Sequence, residues 1–426
     1  MKMMSYWLDS AKPFASAATG GPEGTADVAV IGAGFTGLSA ALALAKKGAK
    51  VVVLEADRVA GAASGRNGGM CNNGFAQDYG SMIEAFGRER ANMFYRAFDA
   101  GVDKVESIIA EEGIDCHFGR VGKLKVAAKP EHYEKIMRSQ DLLARDVDPD
   151  TRIITPAELP SEIGSDRFFG GMLYEKSANM HMGMYGQGLA EAVVRRGGTV
   201  YEHTPLLKMR RVDGTAHELT TPHGTLRANQ VLLATGTSAI GPLGWFRRRI
   251  VPVGAYLIAT EPLPVELLDK LTPHRRNTVD TRHFVSYFRT TPDNRIVFGG
   301  RARFSSRTDP AADAKSGTIL RRSMLNFFPE LADARIDYCW GGMVDMTRDR
   351  LPRAGERDGV FYSMGYSGHG THMATYMGAI MAEVLDGRAD LNPWRDFDWP
   401  AIPGHFGKPW FLPFVGAYYR YKDMVG

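Results

Sequence analysis

A chain of 426 residues, 44% hydrophobic and 23% charged, has the balance of a folded globular protein of about two domains and excludes a disordered or fibrous one. Its 52 basic and 48 acidic residues leave a formal charge of +4, interspersed rather than run together, so no nucleic-acid partner is expected. The three cysteines, Cys71, Cys116 and Cys339, form no CxxC pair; no metal site or disulfide framework is predicted, and the default location is a reducing one, the cytoplasm.

Residues 1–25 read as an N-terminal extension. "MKMMSYWLDSAKPFASAATGG" has one early lysine and no sustained apolar stretch, so no cleaved signal is expected, and Ala15 to Gly24 has the composition of a linker. From Val28 to Ala45 eighteen residues pass without a charge, the length at which a membrane span becomes a candidate. Two different periodicities argue against one. Val28 to Ile31 is a short β-branched strand, whereas Leu38, Ala41, Leu42 and Ala45 repeat at i, i+3, i+4 and i+7 in a helix that ends near Gly48. Between them Gly32, Gly34 and Gly37 keep G-x-G-x-x-G spacing around Phe35 and Thr36. A second strand, Val51 to Leu54, finishes at Glu55 and Ala56.

Strand, glycine turn, helix, strand and acid in that order predict a dinucleotide site. Gly32 permits the tight turn, Gly34 lets the backbone approach a pyrophosphate, Gly37 lets helix and strand close up, and the helix N-terminus attracts phosphate. Glu55 would accept from a ribose hydroxyl. "RVAGAASGRNGGMCNNG", residues 58–74, follows at once; its small residues can lie flat against a large planar ligand, and Ser64, Arg66 and Asn67 supply donors.

Further along, alternating runs such as "GKLKVAA" and "RIVFGGR" predict strands of a second domain, and His181 in "NMHMGMYGQG" is either on the substrate side or simply packed. "VLLATGTSA" is a buried-type strand ending in a turn at Thr235 and Gly236. "VFYSMGYSGHGTHMATYMGAIMAEVLDGR" is a strand, a glycine loop and a helix that starts after Gly370, aiming free amides at whatever lies there.

Together these residues resemble the flavin-dependent amine oxidoreductases of the D-amino acid oxidase and glycine oxidase superfamily. Within it the chain is similar to the gamma-glutamylputrescine oxidoreductase group, through "SYWLDS", "SGRNGG", "SGHGTHMA" and "KPWFLPFVGAYY". The resemblance implies an α/β fold: a Rossmann-like FAD-binding domain of the glutathione reductase type with an inserted antiparallel-sheet substrate domain. The expected FAD-binding pieces are 26–114, 183–246 and 341–400, the substrate domain 115–182 and 247–340, and a tail, 401–426, packed on the body or, alternatively, resting on a membrane surface.

The same resemblance implies that Gly32 to Gly37 and Glu55 hold the ADP part, that Leu206 in "EHTPLL" meets the adenine, and that Ser64, Arg66, Asn67, Gly68 and Gly69 run under the pyrophosphate and flavin. Gly368, His369, Gly370 and Thr371 would meet the flavin N1 and C2 carbonyl edge. His369 is the candidate acid or base, although its place between two glycines favours a backbone role.

In "WGGMVDMTRDRLPRAG", from Trp340 to Gly355, the arginine that clamps an α-carboxylate in glycine oxidase-like members is replaced by Val344. An Arg–carboxylate fork gives energy and orientation that a valine cannot. The expected substrate is therefore an aliphatic amine with its carboxylate far away, as in gamma-glutamylputrescine; the alternative is a cyclic or N-substituted amino acid such as pipecolate or sarcosine, anchored by Arg289, Arg301 or Arg303. Arg348 and Asp349 are expected to pair, and Arg350 and Arg353 to be solvated. FAD is expected to be non-covalent, since Gly342 stands where sarcosine oxidase-like members carry the attaching cysteine. Val297 replaces a lysine thought to activate oxygen, so oxygen and a quinone both stand as acceptors.

Overall fold

The computed structural model describes residues 1–238, 240–300 and 310–425. The uncharged stretch at Val28 divides as its periodicities require, into a strand, Gly24–Ile31, and a helix, Phe35–Lys46. Among the described residues no helix is long and apolar enough to cross a membrane.

That first strand is the middle of one sheet. Its order is Arg353–Arg357, Val360–Met364, Gly224–Leu233, Gly24–Ile31, Val51–Leu54 and Thr199–Tyr201, with the hairpin Lys208–Asp213 and Ala216–Thr221 laid against Gly224–Leu233. The central pairings are parallel, and the run "VVVL" is buried throughout, as strands covered on both faces must be. The helix Phe35–Lys46 crosses closely over a second helix, Gly370–Leu385. A Cβ on Gly378 would lie 2.3 Å from the Thr36 carbonyl oxygen, so glycine sets the distance between the two helices.

The second sheet runs Ile336–Met346, Val251–Thr260, Ile296–Gly300, Ser286–Thr290, Asn277–Asp280, Lys123–Val126, Gly171–Tyr174 and Thr151–Ile154. It is antiparallel except where Lys123–Val126 meets Asn277–Asp280. Its outer face packs Ile258, Phe288, Phe298 and Cys339 with Leu320 and Phe327 of the helix Pro310–Phe327. The inner face looks toward the first sheet. The sequence-based boundary between residues 340 and 341 falls inside the strand Ile336–Met346, all of which belongs to this sheet; the chain crosses to the first sheet only after Met346.

Nor are residues 1–25 an appendage. A short helix, Tyr6–Ser10, buries Tyr6 and Trp7 in the main core. Lys2 bridges to Tyr338 at the edge of the second sheet, and the Ala18 N–H donates to the Val200 carbonyl of the first sheet. The expected extension is thus a strap between both sheets, and its linker stretch is fixed to the first sheet through Ala18. The tail forms a helix, Leu412–Val425, anchored where the Asp423 carboxylate accepts the N–H groups of His283 and Phe284, both at 2.8 Å; Trp410, Phe414 and Tyr418 stay exposed.

Candidate active site

At the end of Gly24–Ile31 the backbone of Gly32 takes a φ of +105°, a region open to glycine at little cost, and a Cβ there would sit 2.8 Å from the Ala234 carbonyl oxygen. A Cβ on Gly37 would come within 1.9 Å of the Gly32 carbonyl oxygen. Only glycine lets the helix begin this close to the strand. Gly34 caps that helix without any side-chain hydrogen bond, and its first N–H, on Phe35, donates to Ser64 Oγ at 3.1 Å. The Glu55 carboxylate is fixed by the N–H groups of Ala33 (2.7 Å) and Asp57 (2.9 Å), and burial raises its pKa. Lone pairs remain on it for a hydroxyl donor.

Two further elements converge on the same space. The strand Gly224–Leu233 runs into Thr235, whose Oγ1 is buried without a partner, and Gly236, with a φ of +55°. The helix Gly370–Leu385 begins at His369, again with no side-chain cap, and Gly368 before it has a φ of +95° with open space where a Cβ would lie. Two helix N-termini whose own N-cap residues lend no side-chain bond, an orphaned hydroxyl and a held carboxylate therefore border one cavity of about 1190 Å³, above the roughly 300–1,000 Å³ common for small-molecule sites. An elongated anion with hydroxyl groups fits that donor set.

Of the residues singled out in the sequence, Gly32, Gly34, Phe35, Thr36, Glu55, Ala56, Ser64, Arg66, Asn67, Gly68, Leu206, Thr235, Gly236, Val344 and Gly368 to Thr371 all line this cavity. Gly37 and Gly69 stand behind it. Arg301 and Arg303 lie outside the described residues. The Thr36 hydroxyl is bonded to that of Tyr366, also on the lining, at 2.8 Å.

The 63–69 loop is held by hydrogen bonds from within and from both domains. Arg66 donates from Nε and Nη1 to the carbonyls of Gly61 and Gly341, and Asn67 donates its amide to those of Ala63 and Ser64, so both shape the loop while lining the cavity. Ser5, Trp7 and Trp340 donate in turn to the carbonyls of Gly65, Asn67 and Arg66, at 2.6, 2.7 and 3.0 Å. Arg289 is no substrate anchor. It is 1% exposed, and it donates to the carbonyls of Gly69, Met180 and Thr290, a peg beneath the loop.

The second sheet roofs the cavity with Gly342, Val344, Ala255, Leu257 and Tyr287. Tyr287 lies against Gly68, where a Cβ would approach its ring to 2.9 Å. Beside Val344, the half-buried Asp345 carboxylate accepts the Gly365 N–H at 2.6 Å, and desolvation pushes its pKa up to about 6. Val297 is packed in the core and off the lining. The expected pair of Arg348 with Asp349 is not formed: Asp349 bonds to Arg353 at 2.5 Å instead. Arg353 is buried, not solvated, and also donates to the Leu351 and Pro352 carbonyls; Arg350 lines the cavity.

His369 lies on the lining with its N–H on the Tyr366 carbonyl at 2.9 Å and its ring 5.8 Å from that of Phe98. His181 is off the lining; it caps the helix Met182–Arg195, accepting the Met184 N–H at Nδ1.

A model of the family described as FAD dependent oxidoreductase matches residues 27–384. The chain belongs to this family. It is an FAD-dependent oxidoreductase acting on amine donors. It is 31% identical over 429 residues to the gamma-glutamylputrescine oxidoreductase of Escherichia coli, covering 99% of this chain and 98% of that one. To a probable oxidoreductase, OrdL, of Haemophilus influenzae it is 32% identical over 388 residues, 90% of this chain and 87% of the other. Its fold matches the structure of glycine oxidase from Geobacillus kaustophilus with a TM-score of 0.68 at 20% identity, covering 89% of this chain and 97% of that chain.

Several residues of this FAD-dependent oxidoreductase's cavity went unread in the sequence: Tyr287, Asp345, His372, Lys123 and Lys125. His372 is fully buried and neither ring nitrogen has a hydrogen-bond partner. Only the lysines carried a signal, two cations at alternate positions of a strand, and that pattern does not say which face meets the cavity.

Proposed function

We propose that this enzyme oxidises an aliphatic amine that carries its acid group at a distance, a gamma-glutamylputrescine-like substrate, to an imine that water converts to an aldehyde. The observation that carries the reading is Val344: an apolar residue on the cavity roof, where an α-amino acid substrate would need a forked cation. The near full-length likeness to gamma-glutamylputrescine oxidoreductase supports the same reading, as does the commitment of Arg289 to backbone carbonyls.

In this reading Gly32, Gly34 and the N-terminus of Phe35–Lys46 hold the diphosphate of FAD, Glu55 a ribose hydroxyl, and Gly368 to Thr371 the flavin edge. Bound FAD supplies the hydride acceptor. The chain's own part is to orient the amine carbon and to keep its surroundings dry. Ala255, Leu257 and Val344 make an apolar roof that disfavours an ammonium and so favours the neutral amine, whose lone pair assists hydride loss. None of the three cysteines lines the cavity, which favours non-covalent FAD.

Anaerobic mixing tests this. Gamma-glutamylputrescine is expected to bleach the flavin absorbance at least a hundredfold faster than glycine, sarcosine or pipecolate at equal concentration. Faster bleaching by any of those three would overturn the reading.

A further inference from the structure

The strand "KLKV", Lys123–Val126, places two lysines at alternate positions, so both side chains leave the sheet on one side. That side is the cavity, which both lysines line. Such positions in an enclosed sheet face are ordinarily apolar, because burying an ammonium without a counter-ion is costly. Here the cost is visible. Lys123 is 7% exposed; its Nζ donates to the Asn73 carbonyl at 2.5 Å and sits 3.6 Å above the Tyr174 ring. Burial, and next the charge of Lys125, press its pKa down to about 7. Lys125 is pushed down by burial as well.

Neither lysine has an ion-pair partner among the described residues. The nearby acids are engaged elsewhere: Asp99 and Asp148 by Lys176, at 3.1 and 3.2 Å, and Asp280 by Arg282. Asp78, the acid nearest in charge to Lys125, caps a helix by accepting the Ser81 N–H. Lys135 and Arg138 extend the positive surface along the same cavity from the helix Pro130–Asp146.

Strand register gives the distance. Tyr287, which packs on Gly68 of the flavin-side loop, is opposite Val279, and Val279 is opposite Lys125. Two strand spacings separate Tyr287 from Lys125, about 10 Å. In gamma-glutamylputrescine roughly ten bonds separate the terminal amine from the carboxylate, about 12 Å when extended like a backbone.

We propose that Lys123 and Lys125, with Lys135 and Arg138 at the opening, form a carboxylate subsite at the end of the cavity remote from the glycine turn, and that it selects substrates whose acid group lies about 10 Å from the oxidised amine. The proposal rests on the aliphatic-amine reading above for the substrate's identity, but the binding of a carboxylate at the lysines stands or falls separately.

The test compares wild-type holoenzyme with Lys125→Met, and with Lys135→Met/Arg138→Met, whose exposed side chains carry little folding risk. The ratio of kcat/KM for gamma-glutamylputrescine to that for N-acetylputrescine, which has the same amine arm and no carboxylate, is expected to fall at least fivefold in each. Lys125→Arg is expected to keep the wild-type ratio. A second readout needs no turnover: glutaramate, with the carboxylate and amide but no amine, is titrated by the flavin difference spectrum, and its Kd is expected to rise at least fivefold in Lys125→Met. If gamma-glutamylputrescine is not oxidised but glutaramate binding depends on Lys125, the substrate reading fails and the subsite stands. If it is oxidised and both the ratio and the glutaramate Kd stay within fivefold of wild type, the subsite is wrong and the substrate reading survives.

Discussion

Arg289 and Val344 carry opposite lessons about charge near this cavity. A guanidinium close to an active site invites reading as an anion clamp, yet Arg289 has its donors on three backbone carbonyls inside the protein. Arg289→Met is expected to cost about 2 kcal/mol or more, because buried carbonyls are left without donors. The damage should appear in denaturant melts and as easier loss of FAD, with the KM of the surviving holoenzyme close to wild type. A raised KM at unchanged stability would instead restore Arg289 as a substrate contact. Val344 was legible in the sequence through its position after Trp340, whereas the peg role of Arg289 was not. Its partners, Gly69 and Met180, lie 220 and 109 residues away along the chain.

The helix Met182–Arg195 shows how one histidine can make an element sensitive to pH. His181 Nδ1 accepts the Met184 N–H at 3.2 Å, and Nε2 meets Ser10 Oγ at 3.0 Å, so the cap requires the neutral ring. Burial, and next the charge of Arg289, lower its pKa to about 4, against about 6.5 when unfolded. Between those values the unfolded chain binds the extra proton, so this contribution is present above pH 6.5 and is lost as pH falls through 4. At about 1.36 kcal/mol for each pH unit it amounts to roughly 3 kcal/mol. His181→Asn keeps an acceptor at the cap and removes the titration; its stability is expected to vary less with pH from 6.5 to 4, as followed by urea melts. An acid limb identical to that of wild type would refute the assignment. At this scale the sequence was a good guide to the helix following Gly34 and the one starting at Gly370, because each buries a stripe with its own period. It was a poor guide to the strand Ile336–Met346, where the glycines and charges of "WGGMVDM" resemble a loop until its pairing with Val251–Thr260 is seen.

In the whole molecule the first fourteen residues tie the two sheets to the loop between them. Ser5 and Trp7 hold the carbonyls of Gly65 and Asn67, Lys2 joins the edge at Tyr338, and Tyr6 donates to Asp293. Deleting residues 2–14 is expected to yield protein that melts at least 10 °C lower and fails to retain FAD, read by thermal scans and by absorbance after gel filtration. A yellow deletion variant with an unchanged melting temperature would show instead that residues 2–14 are a mere extension. By itself the sequence determined the strand, turn, helix and acid of the nucleotide site, because local backbone geometry and hydrophobic period impose them within about thirty residues. Most of the residues it singled out for the site do line the cavity. Tertiary structure alone decided which polar groups are spent on the protein and which face the cavity: Arg289 and Arg353 fell to the first class and Lys125 to the second, while Arg66, Asn67 and Lys123 line the cavity and also bond to backbone carbonyls. A hydrogen bond or a buried charge is settled by neighbours that folding brings from distant parts of the chain, and no local pattern records them.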